Sequence, residues 1–131
     1  MRKDIEIPKV TQVHIVAVHE WDKDFLAQNW FVYLVNESNK TLETTLVMSR
    51  GNDSSRKTST LRHGLNDVSP NAAVKIELIP DEVLGFTNEY LLTFFADGKL
   101  YDRTYVFSPY SIKEDHLVEI PLLEQEGVLA V

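Results

Sequence analysis

Between positions 13 and 123 the chain is a succession of short apolar or alternating segments, rich in Val, Ile, Thr, Tyr and Phe, each closed off by polar turn residues. β-Branched and aromatic residues in runs of that length favour strands, and no stretch keeps a helical period long enough for a coiled coil. Val13, Ile15 and Ala17 alternate with His14, Val16 and Val18, so this first strand is largely apolar on both faces, as expected well inside a sheet. Residues 29–35 repeat the pattern, with Trp30, Val32 and Leu34 opposing Phe31, Tyr33 and Val35. The polar cluster Asn36, Glu37, Ser38, Asn39 and Lys40 predicts a hairpin turn, because these side chains bond locally to backbone and break a strand. The return strand, 41–49, would place Leu42, Thr44, Leu46 and Met48 on one face.

Two more strands are predicted over 58–65 and 73–79, separated by the turn Val68, Ser69, Pro70, Asn71. In the latter, strict alternation turns Val74, Ile76 and Leu78 inward and Lys75 and Glu77 outward. Residues 80–85 are too short for an independent helix and read as a connector. Asp97-Gly98, between strands over 88–96 and 99–108, is the strongest hairpin signal, since both residues tolerate the positive φ of a primed turn. A last strand over 117–123 carries Pro121, which confines it to an edge or a strand end, and the apolar residues after it predict a tail that docks. About eight strands at roughly ten-residue spacing predict an all-β, antiparallel two-sheet sandwich, immunoglobulin-like in the order of its signals, with a jelly roll or open barrel as alternatives. The 131 residues fit one such domain over 1–131.

Composition narrows the chemistry. There is no cysteine, which removes disulfides, thiolate metal sites and a cysteine nucleophile. Twenty acidic against 13 basic side chains give a net charge of −7, which disfavours nucleic acid as a partner. The longest nearly uncharged apolar stretch, 30–35, falls far short of the ~20 residues of a membrane-spanning helix. The first residues lack the continuous apolar core of a secretory signal, so a soluble, cytoplasmic protein is expected.

Candidate sites are few. Arg50, Arg56, Lys57 and Arg62, with His63, surround a polar loop and form the one candidate ligand or phosphate patch, without the interleaved aromatics on which single-stranded nucleic acid stacks. His63 with Asp67 is the place to look for a small-ligand or metal-dependent activity. His14 and His19 are an odd spacing apart on one strand and point to opposite faces, and His116 has Asp115 and Glu119 nearby. Glu20, Trp21, Asp22, Lys23 and Asp24 lack the glycine and distal glutamate of a calcium loop and read as a solvated loop with Trp21 packed on the end of the sandwich. No Gly-x-Ser-x-Gly elbow or Ser-His-acid spacing is present, so no catalytic residue and no cofactor is assigned.

The segment Arg2, Lys3, Asp4, Ile5, Glu6, Ile7, Pro8, Lys9, Val10, the stretch Lys57, Thr58, Ser59, Thr60, Leu61, Arg62, His63, and Leu92, Thr93, Phe94, Phe95 ahead of Gly98, Lys99, Leu100 resemble a family of short bacterial proteins of unassigned function. Some members carry the label phenylalanyl-tRNA synthetase alpha subunit, and the resemblance on that label implies a translation-related RNA or synthetase-associated role. The glycines stand alone and Arg62 is followed by His63 and Gly64 with no acid at the matching place, so no synthetase site carries over.

The aromatic surplus is what remains. Tyr101, Arg103, Tyr105 and Phe107 share one face of the strand over 99–108, and Phe31 and Tyr33 share a face of the second strand. In a two-layer sandwich only one face of each strand points inward, so strands apolar on both sides leave an exposed patch. Tyr and Arg together match the composition of protein interfaces. The expectation is a non-catalytic interaction or structural module, a homo-oligomer or a binder of a protein partner, using those six residues.

Overall fold

A computed structural model describes residues 10–131. Nine strands follow in order: β1 (Val13–Trp21), β2 (Gln28–Asn36), β3 (Leu42–Asn52), β4 (Leu61–Val68), β5 (Ala72–Ile79), β6 (Thr87–Ala96), β7 (Lys99–Phe107), β8 (Val118–Ile120) and β9 (Gln125–Leu129). They form two antiparallel sheets, sheet A in the order β5-β2-β1-β9-β8 and sheet B in the order β4-β3-β6-β7. The all-β sandwich expected from the sequence is what forms, with one strand more.

The core lies between the sheets. Val13, Ile15 and Ala17 of β1 and Trp30, Val32 and Leu34 of β2 pack against Val47, Tyr90, Leu92, Phe94, Tyr105 and Phe107 of sheet B. β1 is central, as its two-sided apolar pattern predicts, with β2 on one side and β9 on the other. Its outer residues Val16 and Val18 join Val35 in a second small core, covered by Ile120 and Leu123. The C-terminal tail thus docks on its own sandwich. β9 pairs with β1, and Val131 then exchanges two backbone hydrogen bonds with Val106 of β7, 3.0 Å each, so this segment reaches both sheets.

The hairpin predicted at Asp97-Gly98 is present, with φ of 53° and 73° at the two residues. The hairpin predicted at 36–40 is not, because β2 and β3 lie in different sheets and the segment crosses the sandwich. Asn36 explains the difference. It is fully buried, its amide nitrogen donates to the carbonyls of Lys40 (2.8 Å), Ser69 (3.0 Å) and Val68 (3.3 Å), and its oxygen accepts from Ser38. One side chain therefore ties the β2–β3 crossing to the β4–β5 crossing.

Gly127 of β9 sits where β9 meets β1, and a Cβ there would lie 2.8 Å from the Ala17 carbonyl oxygen. Gly127→Ala should lower stability by about 1–3 kcal/mol, since backbone cannot yield as a side chain does. Gly64, whose Cβ would meet nothing within 4 Å, should accept alanine within about 0.5 kcal/mol. Urea denaturation of the two variants checks both outcomes.

Candidate functional site

Two β-bulges decide which side chains reach the surface. In β3 the pairing with β4 and β6 shifts between Leu42 and Leu46, with Thr44 at φ 50°. Leu42 is consequently buried in the core, while Leu46 and Met48 turn to the outer face, so the four residues expected on one side are split. In β5 the register with β2 jumps from Val32 opposite Glu77 to Tyr33 opposite Lys75, leaving Ile76 as the extra residue. The phase reverses there: Leu78 faces out and Glu77, expected outside, turns toward the space between the sheets.

Glu77 then meets three side chains of sheet B. Its Oε1 accepts from Ser49 Oγ (2.9 Å) and His63 Nε2 (2.7 Å), and its Oε2 from Tyr90 OH (2.7 Å). Ser49, His63 and Tyr90 belong to β3, β4 and β6, so one carboxylate of sheet A is fastened to three strands of sheet B. Burial, reinforced by the negative charge of Glu77, pushes the Tyr90 hydroxyl far above its ordinary pKa. Beside the cluster lies a cleft of about 230 Å³, walled mainly by apolar groups of Leu61, Leu78, Ile79 and Val83.

The second feature is the outer face of sheet B. Met48 stands opposite Leu91, Leu46 opposite Thr93, and Phe95 opposite Leu100, which gathers Leu46, Met48, Leu91, Phe95 and Leu100 on one surface. Phe95 is 43% and Leu100 49% exposed. On the outer face of sheet A, Val16, Val18 and Val35 lie under Ile120 and Leu123, but no described segment covers the outer face of sheet B. The alternation of β6 carried this signal, since Leu91, Thr93 and Phe95 are out of phase with the core residues Tyr90, Leu92 and Phe94.

The six residues expected at an interface are divided otherwise. Tyr105 and Phe107 are 1% exposed and belong to the core; the aromatic face of β7 is its inner face, because its outer one carries Asp102 and Thr104. Tyr101 stacks on Phe94 at 5.0 Å, and Arg103 lies 4.3 Å over the Tyr105 ring and donates to the Val10 carbonyl. Phe31 and Tyr33 lie half-buried on the outer face of sheet A, where the Lys75 ammonium sits 4.0 and 5.6 Å from their rings. Tyr33 also donates to Glu20 at 2.8–2.9 Å.

Of the four basic residues, Arg50 and Lys57 line one cavity together with Asp53 and Glu89. Arg50 is paired with Glu89 at 3.0 Å, and Arg56 with Asp53 at 2.7 Å while lying over Phe86. The backbone N–H of Ser55 and then the Arg56 guanidinium hold the Asp53 carboxyl below its usual pKa. Lys57 is exposed, and Arg62 is on the outer side of β4 opposite Met48 while His63 points inward. His63 and Asp67 have separate partners, Glu77 and the Thr44 backbone N–H. His14 bonds Glu37, His19 bonds Glu114 and stacks on Trp30, and His116 bonds the Ser111 carbonyl. Among the described residues no three His, Asp or Glu side chains converge as a metal site. Trp21, expected to pack on the end of the sandwich, is 54% exposed at the last position of β1, opposite Gln28.

Glu77→Ala would orphan the buried hydroxyl of Tyr90 and remove two further bonds, lowering stability by about 3 kcal/mol in urea denaturation; Glu77→Gln, which keeps a carbonyl acceptor, should lose less. Alkaline titration supplies a second check. Burial raises the Tyr33 and Tyr90 hydroxyls well above their ordinary value and pushes Tyr105, against the pull of Arg103, up to about 12. A raised pKa in the fold favours the protonated native state, so this contribution is whole below the unfolded value of about 10 and is lost as pH rises beyond it. Tyrosinate ultraviolet absorbance should therefore show these three ionising together with loss of β-sheet circular dichroism rather than before it.

The chain matches no family model, no curated protein and no solved structure.

Proposed function

We propose that this chain is a non-catalytic protein-interaction module that associates with itself through the outer face of sheet B. The observation that carries this reading is the register that places Leu46, Met48, Leu91, Phe95 and Leu100 side by side on a sheet face that no described segment covers. Contiguous exposed apolar surface on a folded domain marks an interaction site, and a two-fold axis would set this same patch of two copies against each other. Arg62 and Asp102 stand at the two sides of the stripe, where a second copy related by such an axis could pair them.

The crossings from β2 to β3 and from β4 to β5 between sheets, with β4-β3-β6-β7 facing β5-β2-β1, support an immunoglobulin-like reading of the sandwich. A cytoplasmic location belongs to the same proposal. An RNA or synthetase-associated role draws little support, since Arg50 and Arg56 already have carboxylate partners and the net charge is −7.

Light scattering on a sizing column across a dilution series tests the reading. The wild type should be a dimer that dissociates on dilution, and Phe95→Asp with Leu100→Asp should raise the dissociation constant at least about tenfold without lowering the melting temperature of the monomer. A wild type that is monomeric at every concentration would sink it.

A further inference from the structure

Glu77 is a carboxylate drawn between two sheets, with a side chain 16% exposed. Buried carboxylates are ordinarily matched by a cation, because hydrogen bonds alone leave the charge uncompensated. Among the described residues no lysine or arginine pairs with it. Its two nearest titratable partners, His63 Nε2 and Tyr90 OH, both lie 2.7 Å from a carboxylate oxygen. Arg50, which also borders the cleft, has its guanidinium engaged by Glu89.

The cleft supplies what a cation with an alkyl body would need. Three donors fix the carboxylate, two of them on Oε1 and one on Oε2, so Oε2 retains acceptor capacity. Leu61 lines the cleft while 50% exposed, and Ile79 lines it while buried. A volume of about 230 Å³ holds roughly seven waters at ~30 Å³ each, which is room for an ammonium and a chain of a few carbons. A largely apolar cleft with one oriented charged group is the usual form of a small-ligand site.

We propose that the cleft between β3 and β5 binds an alkylammonium group, its nitrogen on the Glu77 carboxylate and its methylenes against Leu61, Ile79 and Val83. The same chemistry is offered by a free primary amine and by the lysine side chain of a peptide. This site is separate from the outer face of sheet B, and neither depends on the other.

The test is a titration of the uniformly ¹⁵N-labelled full chain with n-butylammonium, n-butanol and Nα-acetyl-lysine amide, followed by amide chemical shifts. The ammonium should bind with a millimolar dissociation constant, moving the amides of Ser49, Glu77, Ile79 and Tyr90, while the neutral alcohol does so at least about tenfold more weakly. Glu77→Gln should lose the ammonium preference. Should that variant fail to fold, Leu61→Lys gives the same information, because Leu61 stands opposite Ser49 on the face that bonds Glu77, so its own ammonium would occupy the cleft and exclude the added amine. Tighter binding of the lysine amide than of butylammonium would identify a peptide as the source of the group, and the reverse a free amine. Equal shifts with butanol, shifts scattered away from the cleft, or no saturable change with either amine would overturn the proposal.

Discussion

The sandwich depends on a buried asparagine. Chains that pass from one sheet to the other must bring backbone carbonyls into the interior without a ladder to receive them, and each such group left unpaired is costly. Asn36 resolves that problem for both crossings at once, its single amide group serving carbonyls from positions 40, 68 and 69. An apolar residue of the same size would take this donor from the carbonyls of Val68 and Ser69 and leave Lys40 only the longer bond from the Ser38 hydroxyl. The sheets face one another because the chain has a satisfied route between them.

Glu77 plays the complementary part on the open side. β4 and β5 are edge strands of different sheets, with no ladder between them. The extra residue at Ile76 rotates the carboxylate into that gap, where side chains of β3, β4 and β6 converge on it. The opposite side is closed by backbone, through the paired amides of Val106 and Val131. One flank of the sandwich is thus sealed by main chain and the other by a charged side chain, and polar chemistry is concentrated on the second.

Fold class was legible in the sequence because it follows from period and turn chemistry, and both act locally. Asp97-Gly98 could only be a tight hairpin, and β1 could only be central. Sheet membership was not legible: Asn36, Ser38 and Asn39 would equally suit a hairpin, and what separates the outcomes is a contact with residues 68 and 69, distant in sequence. Glu77 was lost for a related reason. Alternation assumes two residues per repeat, and one unpaired residue in β5 inverts every assignment after it. Tyr105 and Phe107 of β7, expected at an interface, lie in the core because pattern alone does not say which face of a two-sided strand is inner. β9 was hidden by its composition, since Gln125, Glu126 and Gly127 give no strand signal, and Gly127 is there only because β1 comes too close for a side chain.

The pairing of β1 with β9 joins positions about 110 residues apart. Contacts at that separation carry a large loop-closure entropy and follow the local hairpins of β1–β2 and β6–β7 in folding. In the interval, β1 has one unpaired edge and an outer surface of Val16 and Val18 that Ile120 has not yet reached. Such an edge is a template for strands of other chains. The arrival of β9 therefore does more than add a strand: it ends the period during which newly folding molecules are exposed to mispairing with one another, and any condition that delays it favours aggregation over the native sandwich.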